Sequence, residues 1–307
     1  MTSDLLIIGG GPAGLAAAVY GRRRGLKVTI IEAKQLGGYL PSAPTIENYP
    51  GIPMVSGAEL AKKMELQATS LGVETVESEV LTLKKNGQEF VAECADGSVA
   101  SGKALLLATG TVHKTLGVKG EAEYAGKGVS YCATCDAPLF KGKQVAVIGG
   151  GNTALTSALV LADACAKVYV VHHGSEFTHA DAALVERARK HANVKFVLDS
   201  VATEVRGGRF VKSVVVANVK TKKKRELRVD GVFVHVGVKP ASELAAALGV
   251  EVDAAGFVKV DLKNCATSVP GVYAAGDVTG WFKQIVSAAA QGALAATSAA
   301  DYLKSKQ

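Results

Sequence analysis

Apolar and polar positions fall into blocks along this chain, and the order of the blocks repeats. A short apolar run from Asp4 to Ile8 closes on glycines at 9, 10, 11 and 14. A helical stretch from Leu15 to Arg24 ends at Gly25, and a second apolar run follows from Val28 to Ile31. Apolar runs this short, bounded by glycine, predict buried strands, whereas the longer segment between them has the length of a helix. The same succession returns as strand Gln144–Ile148, turn Gly149–Ala154, helix Leu155–Ala164 and strand Lys167–Val171. Two more apolar runs, Leu105–Gly110 and Gly271–Asp277, each end in a tight glycine turn. The alanine-rich stretch from Gln284 to Tyr302 predicts a long helix whose positive end lies near Asp277, where it would favour negative charge.

The turns carry chemistry. Gly9-x-Gly11-x-x-Gly14 and Gly149-x-Gly151-x-x-Ala154 are two dinucleotide fingerprints, the first enclosing Pro12 and Ala13, the second Asn152 and Thr153. Their glycines permit a tight turn and close approach of a pyrophosphate, which rests on the helix N-terminus. Glu32 ends the second strand, 18 residues after Gly14, where it can accept hydrogen bonds from ribose hydroxyls. The predicted fold is therefore α/β, with two Rossmann-like nucleotide-binding domains, the second inserted into the first. Residues 1–116 and 243–307 form the first domain and 117–242 the second; Lys114–Gly120 and Val238–Ser242 are the expected two-stranded hinge.

Between the fingerprints stands Cys132-Ala133-Thr134-Cys135, followed at once by Asp136. A CxxC without a second pair is most simply a dithiol that opens and closes. Set between two nucleotide clefts, it can pass two electrons at a time from a flavin to another disulfide. A zinc site would need two further ligands. Cys94, Cys165 and Cys265 read as small buried residues, and His172, His173 and His179 as surface-loop histidines, so no metal is expected.

At 307 residues the chain can bury two cores. Scattered cysteines make a secreted disulfide framework unlikely and point to a reducing cytoplasm. The first strand starts almost immediately, so no signal peptide is expected, and no apolar run reaches membrane-spanning length. The net charge of +7 is uneven: residues 117–242 hold 19 Lys+Arg against 11 Asp+Glu, an excess of +8. Part of that excess is the run Lys220, Lys222, Lys223, Lys224 and Arg225, which reads as a solvated hairpin tip. No nucleic-acid motif accompanies it, so the partner such a field would steer is an acidic protein.

Taken in order, these pieces resemble the low-molecular-weight thioredoxin reductases over nearly the whole chain. The resemblance rests on Gly37-Gly38 with Glu47-Asn48-Tyr49-Pro50-Gly51, Ala108-Thr109-Gly110, Cys132-Ala-Thr-Cys135-Asp136, Thr267–Gly271, Ala274-Ala-Gly276-Asp277-Val and Gln284. The glutathione-reductase class is disfavoured, because residues 36–51 hold no Cys and residues 236–307 no His. The resemblance implies FAD at the first fingerprint, held by Gly9, Gly11, Pro12, Ala13, Gly14, Glu32, Gly38, Asn48, Thr109, Gly110, Gly276, Asp277, Gln284 and Ile285. It makes Cys135 the thiol facing the flavin, Cys132 the one that attacks a thioredoxin-like partner, and Asp136 the acid–base group. It also implies a homodimer and a domain rotation that lets dithiol and nicotinamide alternate at the flavin.

The departures concentrate in the second fingerprint. Relatives that use NADPH carry His-Arg-Arg after the second strand of the inserted domain. Here the run is Val171-His172-His173-Gly174, and the next arginine is Arg187. NADPH is therefore expected to be a poor reductant, and no acid stands at the strand end to favour NADH. A second nucleotide site would comprise Gly149, Gly151, Asn152, Thr153, Ala154, His172 and His173. Ferredoxin or a deazaflavin is the alternative donor, and the basic inserted domain suits an acidic ferredoxin. Thr156-Ser157 replaces a usual Glu pair, and Tyr39 a usual glutamine. Three other readings compete: an ordinary NADPH-dependent reductase in which His172, His173 or residues such as Arg187 and Lys190 form an unorthodox phosphate site; a ferredoxin–NADP reductase, whose known members lack the CxxC; and a flavin-bearing redox sensor whose dithiol reports.

Overall fold

In the computed structural model, which describes residues 1–306, the chain divides into two compact units. One comprises Met1–Val112 with Lys239–Gln307, the other His113–Val238. Strand β1 (Thr2–Ile8) leads into helix α1 (Pro12–Arg23) and strand β2 (Val28–Glu32). Helix α2 (Gly57–Thr69), strands β3 (Glu74–Glu77), β4 (Val80–Asn86), β5 (Glu89–Cys94) and β6 (Val99–Leu107) follow. The short β7 (Thr111–His113) then carries the chain out of the first unit.

The inserted unit opens with β8 (Val129–Ser130), the single-turn α3 (Ala133–Asp136) and β9 (Gln144–Ile148). It continues through α4 (Asn152–Ala164), β10 (Lys167–Val171), α5 (Ala182–Lys190) and β11 (Val194–Val197). Strands β12 (Ser200–Gly207), β13 (Val211–Asn218), β14 (Lys224–Arg228) and β15 (Gly231–Val234) complete it. The chain returns along β16 (Val238–Pro240) to α6 (Glu243–Ala247), β17 (Val272–Ala274) and the 21-residue α7 (Ile285–Ser305).

The first unit holds one seven-stranded sheet in the order β3-β2-β1-β6-β5-β4, with β17 also paired to β6. β3, β2, β1, β6 and β17 run parallel, and β5 and β4 extend the sheet antiparallel. β1 is sealed on both faces from Leu5 to Ile8, which is why its sequence is a continuous apolar run rather than an alternation. Helices α1 and α7 pack closely because small residues line their seam. Ala13, Ala17, Ala288, Ala295, Ala296 and Ala299 are all core residues, and a Cβ at Gly292 would strike the backbone of Ala13. The alanine richness of α7 is thus a packing requirement as well as a helix preference.

The second unit repeats the design with a five-stranded parallel sheet, β11-β10-β9-β15-β8, beside an antiparallel ribbon of β12, β13 and β14. The lysine-rich turn between β13 and β14 is exposed from Lys220 to Arg225, and Lys220 pairs with Asp199. The linking strands β7 and β16 pair with each other as a two-stranded sheet. The first of them lies earlier than the expected Lys114–Gly120. Thr111-Val112-His113 supplies the β-branched residues of an extended segment, whereas Gly117 and Gly120 have positive φ and belong to turns. Among the described residues no helix is long and apolar enough to cross a membrane.

Candidate functional site

In the first unit the polar site residues gather around the N-terminus of α1. Gly9 has φ +103°, and a Cβ there would be driven into the Ala108 carbonyl at the end of β6. Gly11 caps α1 without any side-chain hydrogen bond, and Pro12 occupies the first turn, where its missing N–H costs nothing. Gly38 lies directly over Gly11, and Gly276, at the end of β17, lies against Ala13. Glu32 accepts hydrogen bonds from Gly10 N (2.7 Å, through Oε2) and Lys34 N (3.0 Å, through Oε1). Each carboxylate oxygen keeps a further lone pair for a ligand hydroxyl.

The remaining predicted residues secure the rim. Asn48 Nδ2 donates to Gln284 Oε1 (3.1 Å), joining the Glu47–Gly51 loop to the start of α7. Gln284 and Ser287 close that helix end as a capping box, and Ile285 packs on the Leu40, Ile46, Val55 and Leu60 cluster. Thr109 Oγ1 donates to Ala241 O (2.6 Å) and Ala241 N to Gly110 O (3.1 Å), which fastens the end of β6 to the returning chain. Burial holds the Asp277 carboxyl above its ordinary range, partly offset by Lys283. Tyr39 donates its hydroxyl to Thr111 O (2.9 Å), and burial and then the Asp277 charge push its phenol upward. An uncapped helix N-terminus, a turn whose Gly9 and Gly14 leave no room for a Cβ, and an acid at the end of β2 together fit a dinucleotide such as FAD.

In the inserted unit Cys132 and Cys135 form a disulfide, with Cα atoms 5.4 Å apart. Cys132 is half-buried and caps α3; Cys135 lies in that helix and is exposed. The Cys135 amide donates to Cys132 Sγ (3.2 Å), and Ser130 Oγ accepts from Cys132 N (3.0 Å). An amide aimed at a sulfur favours its thiolate form. Asp136 follows in the same turn, its amide bonded to Cys132 O. Pro138 and Leu139, just beyond, are exposed. Cys94, Cys165 and Cys265 are buried and free, as expected, and burial pushes the last two thiols up to about 11.

The second glycine turn opens onto a cavity of about 310 Å³. Gly149–Gly151, Thr153, Ala154, His172 and His173 line it, together with His113, His179, His235 and Val236–Val238. No lysine or arginine is among its lining residues. Asn152, grouped with this site from sequence, instead accepts a bond from Asp181 N (2.7 Å). His172 is not the surface-loop residue expected. It is 7% exposed, immediately follows β10 and occupies the position equivalent to Glu32, the last residue of β2. Its ring packs on Gly150, stacks on Phe177 (5.1 Å between centroids) and shares a bond with Glu176 O. Burial depresses His172 and His113, and takes His235 down to about 4, so these three imidazoles are neutral at pH 7. Among the described residues no group of three or more His, Cys, Asp or Glu is arranged for a metal.

Sequence reasoning missed His113, His235 and Gln291. His235 directly follows β15 as Ala108 directly follows β6, and a Cβ at Gly149 would strike its carbonyl just as one at Gly9 would strike that of Ala108. The internal repeat, Leu-Ala-Thr-Gly at 107–110 against Val-His-Val-Gly at 234–237, was the available signal. Gln291 Oε1 accepts from Gly276 N (2.8 Å) and Thr279 Oγ1 (3.3 Å), orienting the turn that carries Asp277. Its side chain faces inward from α7, seven residues after Gln284, so helical periodicity could have placed it.

The family described as pyridine nucleotide-disulphide oxidoreductase matches residues 3–292. A thioredoxin reductase of Treponema pallidum (strain Nichols) is 39% identical over 306 residues, covering 99% of this chain and 98% of its own. The crystal structure of Lactococcus lactis thioredoxin reductase is 36% identical, covers 99% of each chain and has a TM-score of 0.94. A ferredoxin-flavin thioredoxin reductase from Clostridium acetobutylicum is 32% identical with 99% of each chain covered, at a TM-score of 0.54. The chain therefore belongs to the pyridine nucleotide-disulphide oxidoreductase family, as a flavin disulfide oxidoreductase of the thioredoxin reductase type whose disulfide pair is Cys132 and Cys135.

Proposed function

We propose that this protein reduces the disulfide of a thioredoxin-like protein through FAD and the Cys132/Cys135 dithiol, and that its electron donor is not NADPH. The observation that carries the reading is the Cys132–Cys135 disulfide at the start of α3, with the Cys135 amide directed at Cys132 Sγ. Gly9, Gly11, Gly14, Glu32 and Asp277 would hold FAD, which, once reduced by the external donor, would supply an electron pair. Those electrons open the Cys132–Cys135 bond. Cys132 Sγ, favoured as a thiolate by the amide, attacks one sulfur of the partner disulfide and forms a mixed disulfide. Cys135 then attacks Cys132 Sγ, restoring the internal disulfide and releasing the partner as a dithiol. Asp136, in the same turn, carries the protons that exchange consumes and releases. Exposed Leu139 beside the dithiol gives the partner an apolar foothold.

Doubt about NADPH rests on the cavity of the inserted unit, which offers imidazoles where a 2′-phosphate would need fixed cations. One observation favours the opposite reading: α4 has an uncapped N-terminus facing glycines 149–151, which suits a pyrophosphate. The test of the disulfide reaction is independent of the donor. Protein photoreduced without oxygen should convert oxidised thioredoxin to its dithiol form, and Cys132→Ser should lose this turnover. Failure of the reduced wild-type protein to open the thioredoxin disulfide would overturn the reading.

A further inference from the structure

Glu121 was not singled out by any motif, yet it is 3% exposed and its carboxylate accepts three hydrogen bonds. Oε1 accepts from Leu116 N (2.8 Å) and from Tyr131 Oη (2.9 Å), and Oε2 accepts from Gly117 N (2.7 Å). Burying a carboxylate is strongly unfavourable unless donors replace its water. Three converging donors answer that cost. Two come from the segment that follows β7, and the third from Tyr131, the residue directly before Cys132.

The Tyr131 ring leads to the same segment. It lies nearly parallel to the His113 ring, with centroids 6.4 Å apart and planes at 22°, and His113 is the last residue of β7. Burial first and then Glu121 push the Tyr131 phenol up to about 12, so it remains a donor at any working pH. On its other side the strand before the dithiol is fixed by β8 pairing with β15 and by the Ser130 hydroxyl on Cys132 N. Cys135 is fixed separately, inside α3.

We infer that Glu121 and Tyr131 are a positioning pair that holds the peptide ahead of Cys132 to the linking segment, and so keeps Cys132 aligned with Cys135 for closure of the disulfide. Neither residue touches a sulfur; both act through the Tyr131–Cys132 backbone. The inference rests on the dithiol reading above, but its test needs no protein partner.

Holoprotein reduced with dithiothreitol, freed of it anaerobically, is mixed with 5,5′-dithiobis(2-nitrobenzoate). One thiolate displaces a first nitrothiobenzoate and forms a mixed disulfide; the other then attacks the protein sulfur of that bond and releases a second. The first phase depends on reagent concentration, and the second is intramolecular. In Tyr131→Phe, which keeps the ring but loses the hydroxyl, the first phase should be unchanged and the second about tenfold slower, as loss of one hydrogen bond to a charged group predicts. Glu121→Gln should act the same way, and the double variant should be no slower than the slower single. Where Glu121→Gln does not fold, Tyr131→Phe decides alone. A second phase as fast as wild type, equal slowing of both phases, or additive losses in the double variant would each overturn the inference. Failure of wild type to reduce thioredoxin, with normal biphasic release, would instead count against the disulfide-reductase reading only.

Discussion

Cys132 and Cys135 are three residues apart but held differently, and the roles proposed for them, Cys132 towards the partner and Cys135 towards the flavin, are separable by substitution. Cys132 receives an amide hydrogen bond on its sulfur, while Cys135 is the more exposed thiol and makes no such bond in the helix it belongs to. On the proposed roles, Cys132→Ser should abolish disulfide reduction but leave a Cys135 thiolate able to give a long-wavelength band beside oxidised flavin; Cys135→Ser should lack the band. Equal spectra from the two variants would contradict the assignment. Asp136→Asn should slow turnover while flavin content stays constant, and an unchanged rate would leave Asp136 as a residue of the turn only. His235 makes a separate prediction about stability. Its pKa is depressed from 6.5 to about 4, so the folded state binds fewer protons than the unfolded chain between those values. The stabilisation is complete above pH 6.5 and is lost as pH falls towards 4, by about 3 kcal/mol. Urea unfolding of wild type and His235→Gln at pH 7 and pH 4.5 checks this: the variant should lose distinctly less stability on acidification.

At the scale of elements, the two glycine turns make the clearest comparison. β1 and β9 end alike, on a glycine whose side-chain position is filled by the carbonyl of the neighbouring parallel strand. Gly9→Ala must move Ala108 or abandon φ +103°, a strain of about 1–3 kcal/mol. Its flavin-to-protein absorbance ratio should fall well below that of wild type; full FAD retention would remove Gly9 from the cofactor site. These turns were legible from sequence because strands buried on both faces leave continuous apolar runs, and glycine has few other reasons to stand at their ends. The linking strands were less legible. Extended segments of three residues carry no period, so the expected strand fell on Lys114–Gly120, where the positive φ of Gly117 and Gly120 marks turns instead. His172 was misjudged because two adjacent histidines near Gly174 resemble a polar loop. What buries the first of them is Phe177, five residues on, and Gly150, far back in the chain. Glu121 was invisible for another reason: its donors lie only four, five and ten residues away, but in turns that carry no period and match no motif.

Across the whole molecule the positive charge is concentrated in the inserted unit, and it is absent from the one cavity where a nucleotide phosphate would need it. Residues 113–238 hold 19 Lys+Arg against 11 Asp+Glu. The cavity beside Gly149–Gly151 is nevertheless lined by histidines, three of them held neutral by burial. Two charged hydrogen bonds to a 2′-phosphate are worth about 1.5–3 kcal/mol each, so their absence removes roughly two to four decades of affinity. The surface field works in the other direction, since a one-sided positive unit accelerates encounter with an acidic protein and loses that advantage as salt rises. NADPH should therefore bleach the flavin slowly and incompletely, whereas a reduced acidic ferredoxin should bleach it quickly at low ionic strength and more slowly in about 0.5 M salt, where screening shortens the field to a few ångströms. Anaerobic stopped-flow mixing with NADPH, NADH, a reduced deazaflavin and reduced ferredoxin, each at two salt concentrations, separates the donors. Rapid, complete bleaching by micromolar NADPH would refute the exclusion and make the histidine cavity an unorthodox phosphate site. Fast but salt-independent reduction by ferredoxin would break the link between donor choice and the charge of the inserted unit.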